Sequence, residues 1–251
     1  MPSRIWTLSK AFLSSPARAA EASRDEDNLA PCLWIYAACT LATMLFFTLK
    51  PFDFPDQSAA YPREFWFKAM LWQPPLEAAW MAFLLGLAVW FRQGSLPLRL
   101  ALGVAWAAAP LGLSVYSVAG ADAHIAKWAL GLEAAALCLL VPLWRRLARA
   151  EVLPVVIFML GVNVIGIVML APMVLAALLR SSNFFMATQV VGGFWILGWG
   201  TLGLRELTGL RLPRAFMAVL LSMFFQIQIA VTLYMSGLMS KGVLKALMFY
   251  A

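Results

Sequence analysis

The chain has 251 residues, 63% of them hydrophobic and 12% charged, with a mean hydropathy of +0.82. So little charge on so apolar a chain excludes an ordinary soluble domain, and it removes the nucleic-acid reading that a net charge of +7 would otherwise invite. Windows of about nineteen residues yield seven stretches long enough to cross a bilayer, at residues 30–49, 75–91, 98–119, 125–144, 154–179, 187–204 and 212–238.

These predict an all-α, polytopic helical membrane protein with about seven transmembrane helices. Residues 1–29 form a cytoplasmic amphipathic segment and residues 30–251 a transmembrane domain, which leaves no room for a separate soluble catalytic domain. The first apolar run follows a charged stretch and is itself of spanning length, so it is expected to act as an uncleaved signal anchor.

In chain order, Ile5, Leu8 and Phe12 recur at helical spacing, with Trp6 and Leu13 beside them and Arg4 and Lys10 at hand. That pattern predicts a short amphipathic helix over residues 5–13, lying on the cytoplasmic membrane surface. Pro16 breaks or kinks it, and the polar residues 18–28 read as a solvated linker in preference to a dedicated partner site. Cys32 and Cys39 in the first span and Cys138 in the fourth read as buried apolar thiols.

Residues 50–74 carry Pro51, Pro55 and Pro62 among several aromatics. They predict an outer loop followed by an interfacial helix over residues 63–72, with Trp66 and Trp72 at headgroup depth. The short turn at residues 92–97 predicts an antiparallel hairpin of spans two and three. Ala78, Ala82 and Gly86, and later Gly193, Gly200 and Gly203, supply ridges of small residues for close helix approach.

Glu133 falls near the middle of span four, where an ionised carboxylate costs several kcal/mol and calls for a partner or a proton. Asn163 in span five has a similar depth, because the two spans run in opposite directions and each residue is about nine positions, roughly 13 Å, from its span's start. Gln226 and Gln228 in span seven point to different faces, so one of them is expected to reach Glu133. Glu133, Asn163 and Gln226 are therefore the candidate intramembrane polar site. It is either a proton or substrate relay or hydrogen-bonded packing between helices.

Basic residues set the orientation. Twelve lysines and arginines fall on the N-terminal side, among them Arg92, Arg99, Arg145, Arg146 and Arg149, and seven fall on the other, which predicts a cytoplasmic N-terminus and an outer C-terminus. Arg205, Arg211 and Arg214 around Glu206 form, with the N-terminal helix, a candidate cytoplasmic surface for a protein partner or anionic headgroups. The chain has one histidine, His124, and no Walker loop, Gly-x-Gly-x-x-Gly, Gly-x-Ser-x-Gly or Cys-x-x-Cys. No catalytic, cofactor-binding or metal-ligating set is expected.

Residues 202–215 read Leu-Gly-Leu-Arg-Glu-Leu-Thr-Gly-Leu-Arg-Leu-Pro-Arg-Ala after a glycine- and aromatic-rich run at residues 192–200. This resembles the connection between the last two membrane helices of the Yip1 domain family. Residues 8–18, Leu-Ser-Lys-Ala-Phe-Leu-Ser-Ser-Pro-Ala-Arg, resemble that family's membrane-proximal helix. The resemblance covers about the first 50 and last 60 residues. It implies an all-helical membrane protein with a cytoplasmic N-terminus. Eukaryotic members are partners of Rab-type GTPases, and bacterial members mostly lack an assigned role.

The chain departs from the family in two places. Spans four and five, which carry Glu133 and Asn163, stand as an extra hairpin on a five-helix core, and Leu71-Trp72-Gln73-Pro74-Pro75 replaces the Asp-Leu-Tyr-Gly-Pro segment. Arginine outnumbers lysine thirteen to six, which points to a GC-rich bacterial genome and so to an inner membrane. The expected function is a non-enzymatic, Yip1-like membrane protein that organises or assists a membrane or trafficking process. Its partners would be the lipid bilayer and a membrane protein or a second copy of itself, with no nucleic acid. The alternative is a small proton-coupled transporter or channel subunit using the intramembrane glutamate, with a lipid-acting membrane enzyme third.

Overall fold

The computed structural model describes residues 2–56, 60–120, 123–144 and 149–250. Among these residues the chain is all α-helical, with ten α-helices and no strand. Seven of them run 21 to 30 residues: α3 (Leu29–Leu49), α4 (Arg63–Trp90), α5 (Leu96–Gly120), α6 (Ala123–Trp144), α7 (Arg149–Leu178), α8 (Ser182–Thr208) and α9 (Leu212–Met235). The segments Glu26–Leu49, Glu151–Leu178 and Leu212–Met235 are long and apolar enough to cross a membrane. Arg145 and Arg146, counted in the charge asymmetry, lie outside the described residues.

Before the bundle come α1 (Pro2–Ser14) and α2 (Pro16–Ser23). Pro16 ends α1 and starts the next helix. It occupies the first helical position of α2, where a missing N–H is harmless, and the Ser15 side chain caps the helix by accepting from the Arg18 N–H. The expected solvated linker is therefore mostly helical, residues 18–23 in α2 and Glu26–Asn28 in a 3-10 turn, with Ala19, Ala20, Ser23 and Asn28 buried. Arg4 of α1 bonds Asn28 at 2.7 Å and pairs with Asp25, which ties this hairpin to the root of α3.

The apolar face of α1 is turned onto protein. Leu8 and Phe12 are buried, the Phe12 ring lies over Gly161 of α7 and 5.6 Å from Phe158, and the Trp199 indole of α8 donates to the Phe12 carbonyl at 2.7 Å. Helical periodicity had identified the right face but not what covers it, and a folded bundle end offers a fitted surface that lipid does not. Trp6 remains exposed.

Helix α4 is continuous from residue 63 through Pro74 and Pro75, so no separate interfacial helix exists. The two prolines leave the carbonyls of Met70 and Leu71 without their helical donors, a defect that membrane helices tolerate where neighbours and side chains re-satisfy the backbone. Trp66 is buried rather than at headgroup depth, stacked on Phe47 with ring centroids 4.7 Å apart. The closing helix α10 (Lys241–Tyr250) packs on α4, burying Val243, Ala246 and Leu247.

Tertiary packing does not follow chain order. Helix α9 lies against α4, α5 and α8, while α7 lies between α3 and α8. Spans two and three accordingly do not pack as a hairpin along their length. They meet at their shared turn, where Arg99 donates to the Trp90 carbonyl at 2.5 Å and stacks on its ring at 4.5 Å, and α9 packs against both. The predicted extra hairpin of spans four and five is likewise not a packed unit, because α6 uses α5, α4 and α9, and α7 uses α3 and α8.

Of the small-residue ridges, Gly203 has a decisive close approach, with Phe158 filling the space where a Cβ would stand. Ala78 is exposed, so the ridge on α4 is not buried along its length. Cys32 and Cys39 are buried free thiols as expected, whereas Cys138 is exposed.

Candidate functional site

The three residues expected to share one polar site divide between two. On α6, Glu133 is 2% exposed and its Oε1 accepts from Thr232 of α9 at 3.1 Å. Gln228 stands beside it, one turn before Thr232 on the same face, yet neither Gln228 Nε2 nor Glu133 Oε2 has a hydrogen-bond partner of ordinary geometry among the described residues. Gln228, not Gln226, is thus the glutamine that reaches Glu133. At 100° per residue Gln226 lies 200° further round α9 and points elsewhere. Thr232 is three residues from the end of α9, about 4.5 Å along its axis. Its pairing therefore places Glu133 nearer one end of the bundle than its central position in α6 implies.

Asn163 and Gln226 do come together, around a different acid. Helices α3, α4, α7, α8 and α9, with Leu247 of α10, line a half-open cavity of about 250 Å³ whose polar lining is Thr43, Gln73, Glu77, Asn163, Thr188, Gln189 and Gln226. Glu77 and Asn163 each lie fourteen residues into their helices, α4 and α7, and Gln226 the same distance into α9, so the three share the middle of the bundle. The Glu77 Oε1 accepts from Gln73 Nε2 at 2.6 Å across one helical turn. Tyr36 of α3 approaches the same carboxyl, with its hydroxyl buried beside that of Thr40. Asn163 donates to the carbonyls of Met159 and Leu160 on its own helix, both at 3.2 Å.

The cavity wall carries one carboxyl and no lysine, arginine or histidine. Among the described residues no basic group lies within ion-pair distance of Glu77. The carboxyl there accepts from the neutral Gln73 amide and faces an open volume. Glu77 escapes a reading of the sequence because the apolar window begins at residue 75 and puts it at a span's edge. The Gln73–Glu77 pair, one turn apart beside Pro74 and Pro75, was the signal in the sequence. The helix begins at residue 63, and that start makes Glu77 central.

At the other end, the arginine cluster is partly consumed by the fold. Arg214 donates to the carbonyls of Phe91 and Gly94 at 2.6 and 2.7 Å, holding the turn between α4 and α5. Arg92 in that turn pairs with Glu151 of α7 at 2.8 Å. Arg205 and Glu206 are neighbours at 3.8 Å, and Arg24 of the N-terminal segment donates to the Glu206 carbonyl at 3.2 Å. Arg211 is exposed. Gly209, in the left-handed conformation at φ 68°, ends α8, and its N–H returns to the Arg205 carbonyl at 2.9 Å.

No family model matches this sequence, and neither a curated protein nor a solved structure matches it.

Proposed function

We propose that this chain is a non-enzymatic membrane carrier whose helices α3 to α9 form seven spans and which binds a small solute with a polar or charged group at Glu77 in the middle of the bundle. The lengths of those helices support seven spans, since 21 residues reach about 32 Å and the hydrocarbon core is about 30 Å thick. The distribution of basic residues supports a cytoplasmic N-terminus and an outer C-terminus, and the excess of arginine over lysine supports a bacterial inner membrane. What carries the solute reading is the Glu77 carboxyl facing a half-open cavity whose wall, among the described residues, has no basic counter-charge. A carboxyl that served packing alone would be expected to fill its surroundings, as Glu133 does against Thr232.

The test is uptake into reconstituted vesicles of a panel of amines, amino acids, polyols and alkali cations, with Glu77→Gln as the matched control. Uptake of at least one solute by the parent, reduced tenfold or more in the variant, supports the carrier. Equal leak through both for every solute refutes it.

A second reading, a Yip1-like organiser acting through its cytoplasmic face, is supported by the helical hairpin α1–α2 docked beside Arg205, Glu206 and the exposed Arg211. It predicts that Arg211→Glu loses co-purifying membrane protein or retention on anionic lipid while the fold is kept. Arg214 is the wrong probe, because it holds a turn together.

A further inference from the structure

Resting on the carrier reading, the inference here concerns what occupies the cavity. Glu77, Trp80 and Met81 stand at i, i+3 and i+4 on α4 and so share one face, and all three line the cavity. The Trp80 ring is fixed, since its indole N–H donates to Ser222 of α9 at 2.8 Å. Phe47, also on the wall, is fixed by its stack on Trp66. A carboxyl with an immobilised indole beside it, one turn along the same face, forms a seat for positive charge, attracted by the carboxylate and by the aromatic surface next to it.

The rest of the wall suits an apolar body of variable shape. Five of its 26 residues are methionine (Met81, Met159, Met169, Met173 and Met223), against 13 in the 251 of the chain. That enrichment separates this surface from ordinary helix packing, because thioether side chains are unbranched, polarizable and able to re-pack around different guests. On α8 the wall is opened by glycine: a Cβ at Gly193 would meet nothing within 4 Å.

We propose that the occupant is an organic monocation with an apolar body, an alkyl- or arylammonium, whose charged head sits between Glu77 and Trp80 and whose body lies among the methionines. Neutral and anionic molecules of the same shape are rejected, because they leave the carboxyl without a counter-charge.

The experiment measures binding of radiolabelled benzyltrimethylammonium to the full chain in nanodiscs by equilibrium dialysis. Benzyl alcohol, phenylmethanesulfonate and ethanolamine serve as competitors, and Glu77→Gln, Trp80→Leu and Gly193→Leu as variants. We expect saturable binding that is weakened at least tenfold by Glu77→Gln and severalfold by Trp80→Leu. It should be abolished by Gly193→Leu, which fills the volume without touching the carboxyl. The neutral, anionic and purely polar competitors should each bind at least tenfold more weakly. Benzyl alcohol or ethanolamine competing as well as the arylammonium overturns the inference, as does Glu77→Gln binding within twofold of the parent. Glu77-dependent uptake of a different solute class, with no binding of this cation, overturns the occupant and leaves the carrier standing. A Gly193→Leu protein that folds and matches the parent for every solute overturns both.

Discussion

Gly203→Ala tests how α7 and α8 are held together. An alanine Cβ at this position would stand 2.0 Å from Phe158 Cζ and 2.3 Å from its Cε1, whereas ordinary contact begins at 3.4 Å. The ring would have to retreat by about 1.4 Å, and it is fully buried with Phe12 on its other side at 5.6 Å. Overpacking of this kind costs about 1–3 kcal/mol, and the better helix propensity of alanine returns up to about 1 kcal/mol. A net loss of about 1–2 kcal/mol is expected, read as an earlier midpoint in SDS-titrated unfolding of the detergent-solubilised protein followed by circular dichroism. Gly193→Ala is the internal control, because its Cβ meets nothing within 4 Å, and it should be neutral or slightly stabilising. Phe158→Leu in the Gly203→Ala background should cost less than Phe158→Leu alone, the coupling expected of two groups competing for one space. Gly203→Ala as stable as Gly193→Ala, or purely additive with Phe158→Leu, would refute the account of this interface.

Lys50, just beyond the end of α3, donates to the Phe54 carbonyl and lies 4.8 Å from the centre of the Trp66 ring. Burial pulls its ammonium down to about 8, against opposition from Asp53 and then Asp56. The folded chain then binds fewer protons than the unfolded one between about pH 8 and pH 10.5, so stability should rise with pH across that window. Thermal unfolding of Lys50→Met should lack the rise, and a parent whose midpoint is flat over the same interval counts against it. Glu133→Gln keeps an acceptor for Thr232 and should leave the unfolding midpoint nearly unchanged, whereas Thr232→Val, which strips the carboxyl of its donor, should cost about 1 kcal/mol or more. The opposite order of the two would show that the carboxylate charge itself is what α9 recognises. For topology, a cysteine placed at Glu26 should be protected from an external maleimide and one at Ser240 labelled. Labelling of both from the same side would mean an even number of spans.

Hydropathy alone determined that the chain is helical and membrane-apolar, and each of the seven apolar windows falls within one of α3 to α9, give or take a residue or a turn at its ends. The 3.6-residue period likewise identified the buried face of α1 through Leu8 and Phe12. These are local properties, set by the free energy of moving side chains out of water and by the geometry of a single helix, so they can be read along the chain.

Which helices touch is not a local property. The assumption that consecutive spans pair put Asn163 against Glu133. In the folded chain α9 separates α4 from α5, α7 sits between α3 and α8, and Asn163 and Gln226 converge on Glu77 instead. Inside a membrane all these surfaces are comparably apolar, so the choice among neighbours falls to shape. Phe158 lying over Gly203 and Phe12 over Gly161 show how that choice is made. The centre of the candidate site was hidden for a related reason: only tertiary contacts with α10 and α3 carry α4 back to residue 63, and that extra length moves Glu77 from the edge of a hydropathy window to the middle of the bundle.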